Sequence, residues 1–292
     1  MNLEYKKVLY IDLNTLGYEF KIHEDLWKYI GGIGVGYKLF ADNLDEKPVV
    51  LAAGPLSGYF PYISKANLLY SSGGAVEEKF GGGTIAGLLN MVGIDAIVFT
   101  GATDKFVHVS LFNQEVTVTT EKEEDFERRY SDFVLTKNAA TSQRYFSFGN
   151  SINLENFFTG ETQLGGGLSV SIDSTESLDF SDFSHYEELY TDLLDQYRKL
   201  SVEPRSNPSC LGCPMGCDKS NQGEDGENVA ALPRCLISCA YAEEVYKSIP
   251  TAYACLNSVG YKYHHSHLEG LPKLVGELKV LINNKLRDDS NS

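Results

Sequence analysis

The sequence predicts an α+β protein, with a β-rich N-terminal part followed by a short all-α segment. Two observations carry this. Short runs of β-branched and aromatic residues, separated by Gly, Asn and Pro turn signals, recur as far as residue 180. From residue 185 the apolar period lengthens to a helical one, as at Tyr186, Leu189, Leu193 and Tyr197.

Residues 7–13 and 18–22 read as a hairpin turned by Asn14, Thr15, Leu16 and Gly17. Residues 24–30 form a short helical stretch that Gly31 and Gly32 end, and residues 35–44 continue as a helix. Residues 49–53 are a buried strand stopped by Gly54 and Pro55, and residues 66–71 are another. Gly81, Gly82 and Gly83 open a helix that reaches about residue 92, and residues 96–100 return as a strand. Residues 106–112 and 115–119 form a second hairpin, and 144–148 and 168–172 are further strands. The acidic run 121–125 reads as a solvated helix start. A helix spans 185–200, and the Pro/Ser/Asn-rich stretch 201–209 is a linker. Helices over 230–247, 251–259 and 271–286 finish the chain, with a disordered tail over 287–292. Two domains are expected, 1–200 and 210–292.

The 292 residues are 42% hydrophobic, enough for a sizeable core. There are 25 Lys and Arg against 40 Asp and Glu, a formal charge of −15. Such a chain repels phosphate backbones and gains nothing at an anionic lipid surface. Neither nucleic acid nor membrane is an expected partner. The longest apolar run, residues 49–53, is far below the ~20 residues that span a bilayer. No leader precedes it, so a cytoplasmic location is expected.

All six cysteines lie between Cys210 and Cys255. Clustering of this kind in a cytoplasmic chain points to a metal rather than to disulfides. Cys210-x2-Cys213-x3-Cys217 places three thiolates on one tight loop, which Gly212 and Gly216 relax and Pro214 stiffens. An iron–sulfur cluster fits best. Zinc is the alternative, although a zinc ribbon needs a second C-x2-C knuckle, and a loop without metal is the third reading. A four-iron cluster takes four thiolates, and Cys235 or Cys239, four apart on a predicted helix, is the candidate fourth. Cys255, in an apolar helix, reads as core.

The run Gly31-Gly32-Ile33-Gly34-Val35-Gly36 does not make a dinucleotide fingerprint, because Tyr37 and Leu39 occupy the required third glycine positions. Gly81–Gly83, opening a helix, could face a phosphate or simply turn the chain. His264, His265 and His267 read as solvated residues of a surface loop.

Several segments in order resemble one family: Ile30-Gly31-Gly32-x-Gly34, Ala52-Ala53-Gly54-Pro55-Leu56-Ser57-Gly58, Lys65-Ala66-Asn67, Gly82-Gly83, Gly93-Ile94-Asp95-Ala96-Ile97-Val98, and Cys210-x2-Cys213-Pro-x-Gly-Cys217. Together they are similar to the N-terminal part of the tungsten-pterin aldehyde:ferredoxin oxidoreductases. The resemblance implies a β-rich pterin-base domain and a [4Fe–4S] cluster on the Cys210, Cys213 and Cys217 loop. The family's fourth cluster cysteine belongs to later helical domains, so Cys235 stands as the fourth ligand here only from its place on the predicted helix. It also implies a tungsten- or molybdenum-pterin facing Lys65, Gly82 and Gly83, with electrons passing to ferredoxin or a similar carrier. Four positions depart from the family. Lys65 replaces an arginine, Phe80 replaces a pterin-binding asparagine, and Lys262 replaces an aspartate. The loop 161–168 lacks the family's two phosphate-gripping arginines. The later helical domains have no counterpart, so a partner subunit supplying them is expected. The alternative is a non-catalytic cluster- or zinc-binding derivative that has lost the pterin site.

Overall fold

A computed structural model of the chain describes residues 5–63, 65–81, 85–122, 124–125, 151–153, 167–180, 182–195, 224–225, 230–236 and 242–290. The hairpin forms as β1 (Lys6–Asp12) and β2 (Gly17–His23). A 3-10 turn (Asp25–Tyr29) leads into α1 (Gly32–Asp42). Then come β3 (Val49–Ala52), β4 (Ala66–Ser72), β5 (Ala75–Gly81), α2 (Ile85–Met91) and β6 (Ala96–Thr100). The second hairpin is β7 (Phe106–Phe112) and β8 (Glu115–Glu121). After it come β9 (Ser151–Asn153), β10 (Leu168–Asp173), α3 (Phe183–Asp195) and β11 (Glu224–Asp225). The chain finishes with α4 (Ala231–Leu236), α5 (Glu243–Tyr246), α6 (Ile249–Ser258) and α7 (His265–Ser290).

The strands make a seven-stranded sheet in the order β11-β5-β4-β3-β6-β1-β2 and a four-stranded sheet in the order β8-β7-β10-β9. Pairing is antiparallel except for β1 with β6 and β7 with β10. Strand alternation sorts the larger sheet's side chains onto two cores. Leu9, Ile11, Val49, Leu51, Leu68, Ile97 and Phe99 face the smaller sheet. Val8, Val50, Ala52, Leu69, Val98 and Phe80 face a helical layer of α1 and α4–α7. Long-range anchoring of this layer includes the Val76 amide donating to Asn283 Oδ1 at 2.9 Å, which ties β5 to α7.

Four features depart from the sequence expectation. β5 was not anticipated, because Glu77, Glu78 and Lys79 give it little strand character; Glu78 finds its partner far along the chain. The break after the short helical stretch forms at Ile30 and Gly31, but α1 begins at Gly32 rather than at residue 35. α7 begins at His265 rather than at residue 271, and carries Pro272 inside it. The expected disordered tail is helical to Ser290, because buried Ile282 and Leu286 hold the last turns against the core. The strand expected at 144–148 and the linker at 201–209 lie outside the described residues. Among the described residues, no helix is long and apolar enough to cross a membrane.

Candidate metal centre and its surroundings

The start of α1 is built for close approach. Ile30 sits at φ 67° and ψ −68°, and the Gly31 amide donates back to the Tyr29 carbonyl at 2.8 Å. This is a γ-turn with positive φ, a strained conformation for a β-branched residue. Packing holds it in place. The Gly32 amide donates to the Ala53 carbonyl at 2.9 Å. Asn90 of α2 donates to the carbonyls of Gly54 and Ser57, both at 2.9 Å. A Cβ on Gly31 would lie 2.5 Å from Pro55 Cδ and 3.2 Å from the Cys235 carbonyl oxygen; one on Gly34 would lie 2.1 Å from the Tyr29 oxygen and 3.3 Å from Cys235 Sγ. Two of the segments that carry the family resemblance, 30–34 and 52–58, therefore meet, and Cys235 of α4 lies against them.

Cys235 is fully buried. Burial pushes its thiol up to about 12, against the opposing pull of the Gly34 amide and of Arg234. The neighbouring Arg234 reaches β5, where its Nη1 lies 2.7 Å from Glu78 Oε1 and 2.8 Å from Oε2. The Tyr37 hydroxyl of α1 donates to Glu78 Oε2 at 2.7 Å. Lys65 and Asn67 precede Leu69 on the same face, and both are buried. Neither amide atom of Asn67 has a hydrogen-bond partner among the described residues. Phe80 stands opposite Asn67 across the β4–β5 ladder, with its ring in the apolar core.

Sequence reasoning missed the Tyr37–Glu78–Arg234 network. The available signal was Glu78 between Val76 and Phe80, a charge on an otherwise apolar strand face. Cys255 lies in the helical core, as expected, with burial pushing its thiol up to about 12. His264 and His265 are exposed, as expected, whereas His267 is not. His265 opens α7, and His267 is half-buried, edge-on to Trp27 at 4.7 Å and accepting from the His264 amide at 3.2 Å. Gly82, Gly83, Cys210, Cys213, Cys217 and Cys239 lie outside the described residues. Within the described residues, no group of three or more His, Cys, Asp or Glu could hold a metal ion.

These residues fit one implied cofactor better than the other. A buried thiol packed against the backbone of a glycine turn suits a thiolate-bound cluster, whose properties are set by burial and by nearby backbone N–H groups. The pterin side fits poorly. Phe80 offers no polar atom where the resemblance places an asparagine, Arg234 is already held by Glu78, and the Glu78 carboxylate opposes an anionic cofactor. Among the described residues, the Asn67 amide and Arg234 Nε are the groups on this face left without a partner. By themselves the described residues do not grip a pterin.

Residues 8–133 match the family described as "Aldehyde ferredoxin oxidoreductase, N-terminal domain". This stretch is similar to an aldehyde ferredoxin oxidoreductase N-terminal domain. It contains both sheets' first hairpins, the strained turn at Ile30 and the β4–β5 face. A solved structure described as the active site complex BamBC of benzoyl coenzyme A reductase with 1,5-dienoyl-CoA shares the fold. Its TM-score is 0.55 at 16% sequence identity, over 96% of this chain. This chain spans 62% of the length of that structure's chain. No curated protein matches the sequence.

Proposed function

We propose that the protein is an iron–sulfur component of the aldehyde:ferredoxin oxidoreductase type. It passes electrons from a tungsten- or molybdenum-pterin site, completed by a partner subunit, to ferredoxin or a similar carrier. Cys210, Cys213, Cys217 and Cys235 hold a [4Fe–4S] cluster in this reading, at the start of a helical domain over 210–292 that follows the 1–200 base domain. The supporting observation is the position of Cys235, buried against the glycine-lined start of α1, where a Cβ added to Gly34 would lie 3.3 Å from its sulfur. Cluster ligation requires the thiolate, so metal binding opposes the burial that keeps this thiol protonated.

A cluster supplies one-electron transfer when bound. The chain's part is to exclude water from it, donate N–H groups to its sulfurs and hold its ligands in place. Lys65, Gly82 and Gly83 are the residues proposed to face the pterin. A partner supplies the charged grip that the described residues lack, a reading that agrees with the description of the structural relative as a complex, BamBC. The clustered thiols favour a reducing, cytoplasmic setting. A second reading, a cluster- or zinc-bearing scaffold without pterin, is favoured by Phe80 and by the Glu78–Arg234 pair.

Iron, acid-labile sulfide and zinc measured on anaerobically purified protein test the proposal, with visible absorbance before and after dithionite. About four irons and four sulfides per chain are expected. Stoichiometric zinc without sulfide would remove the electron-transfer role. Cys235→Ser and Cys239→Ser, compared for cluster retention in air, identify the fourth ligand. If neither matters, that ligand comes from solvent or the partner.

A further inference from the structure

Among the described residues, β2 is the outer strand of the seven-stranded sheet, paired on one side only, with β1. Such an edge is ordinarily protected by proline, a bulge or a run of like charge. β2 has none of these. Its sequence, GYEFKIH, contains no proline, and its pairing with β1 runs unbroken from Gly17 to His23. Its charges, Glu19 and Lys21, are opposite and cancel. On the other face Tyr18 and Ile22 are 50% and 53% exposed, with Phe20 between them packed against the inter-sheet core.

The order of these residues is self-complementary. An antiparallel pairing of β2 with a second copy, two-fold through Phe20, sets each Glu19 opposite a Lys21 of the other copy. The same register sets each Tyr18 opposite an Ile22, and the two Phe20 residues face each other. Directly opposed residues share a face in an antiparallel pair, so the apolar residues cover one another on one side and the ion pairs form on the other. Competing registers fail on the same residues. A two-fold at Glu19 or at Lys21 opposes identical charges. A shift of one residue sets apolar side chains against charged ones. An in-register parallel pairing stacks Glu19 on Glu19.

We infer that the β2 edge is a homodimer interface: two copies of this chain join their larger sheets through antiparallel β2 strands centred on Phe20. The ladder hydrogen bonds and the covered Tyr18, Phe20 and Ile22 give the affinity. The exposed charges, now paired within each strand at 2.6 Å, mainly select register and partner. The surface lies on the sheet edge opposite β5 and does not depend on the cluster.

Sedimentation velocity on the full chain across the micromolar range tests this. The wild type is expected to dimerise. Lys21→Glu and Glu19→Lys each create two like-charge oppositions and weaken the dimer by roughly tenfold. The double variant Glu19→Lys/Lys21→Glu recovers it. Both positions are exposed, and circular dichroism checks that the fold is kept. Phe20→Cys adds a second readout, since the two-fold brings these positions close enough for an intermolecular disulfide under mild oxidation. A monomeric wild type, singles that leave the dimer unchanged, or a double variant no better than the singles overturns the inference.

Discussion

Glu78 places a carboxylate inside an apolar layer, where Arg234 and Tyr37 answer it. Removing one partner of a buried pair leaves the other uncompensated, at a cost of about 3–5 kcal/mol. Arg234→Met is therefore expected to lower the urea midpoint sharply. Glu78→Gln/Arg234→Met should recover much of that loss, and chemical denaturation of the three proteins measures both effects. A single variant as stable as the wild type would show that the pair is not structural. Cys255 gives a pH dependence. Burial lifts its thiol from 9.0 to about 12, so the folded state keeps it neutral while the unfolded chain ionises it. The stability this contributes is complete below about pH 9 and is lost progressively toward about pH 12. Tyr59 and Tyr186, lifted by burial from 10.0 to about 12, add to the decline above about pH 10. Urea midpoints from pH 7 upward should fall in this window, and Cys255→Ala should flatten the first part of the fall.

Glycines in two helices make opposite demands. In α1, Gly34 is crowded: an added methyl would meet the Tyr29 backbone at 2.1 Å. Backbone cannot rotate away, so Gly34→Ala is expected to destabilise by at least about 2 kcal/mol. In α7, Gly276 has nothing within 4 Å of an added Cβ and a helical φ. Gly276→Ala should stabilise by ~0.5–1 kcal/mol through helix propensity and a less free unfolded chain. Thermal unfolding of both variants checks the signs. Equal effects would mean that the tight seam between α1 and α4 is not a feature of the native fold. The sequence shows both glycines alike, and only the neighbours separate them.

Across the whole molecule, the described fold sets a buried thiol, Cys235, against the glycine-lined start of α1. It lacks a charged grip for an anionic cofactor. Each missing charge-assisted contact costs ~1.5–3 kcal/mol, on the order of tenfold to a hundredfold in affinity. The isolated chain, produced with tungstate or molybdate, is therefore expected to carry little pterin and to show no useful aldehyde oxidation. A viologen-coupled assay with pterin quantified measures this. Activity appearing on addition of a co-purifying subunit would support the two-component reading. Robust turnover by the chain alone, with stoichiometric pterin, would show that no partner is needed.

The sequence alone determined the strands with clear alternation or turn chemistry, among them β1, β2, β3, β6, β7 and β10. Their hydrophobic period and flanking Gly, Asn and Pro are local properties. It also pointed to the family, through segments such as 30–34 and 52–58, whose glycines and proline answer to backbone geometry. It could not show why those segments matter together. Tertiary structure decided that they converge on Cys235, that Glu78 makes β5 a strand by pairing with Arg234, and that α7 runs to Ser290. It decided too that Asn67 is buried with no partner among the described residues and that Phe80 stands opposite it on the ladder. The physical reason is range. Periodicity and turn propensity act over a few residues. A buried charge, a crowded glycine or a helix end held by core packing takes its energy from residues brought near by the fold, 156 positions apart for Glu78 and Arg234.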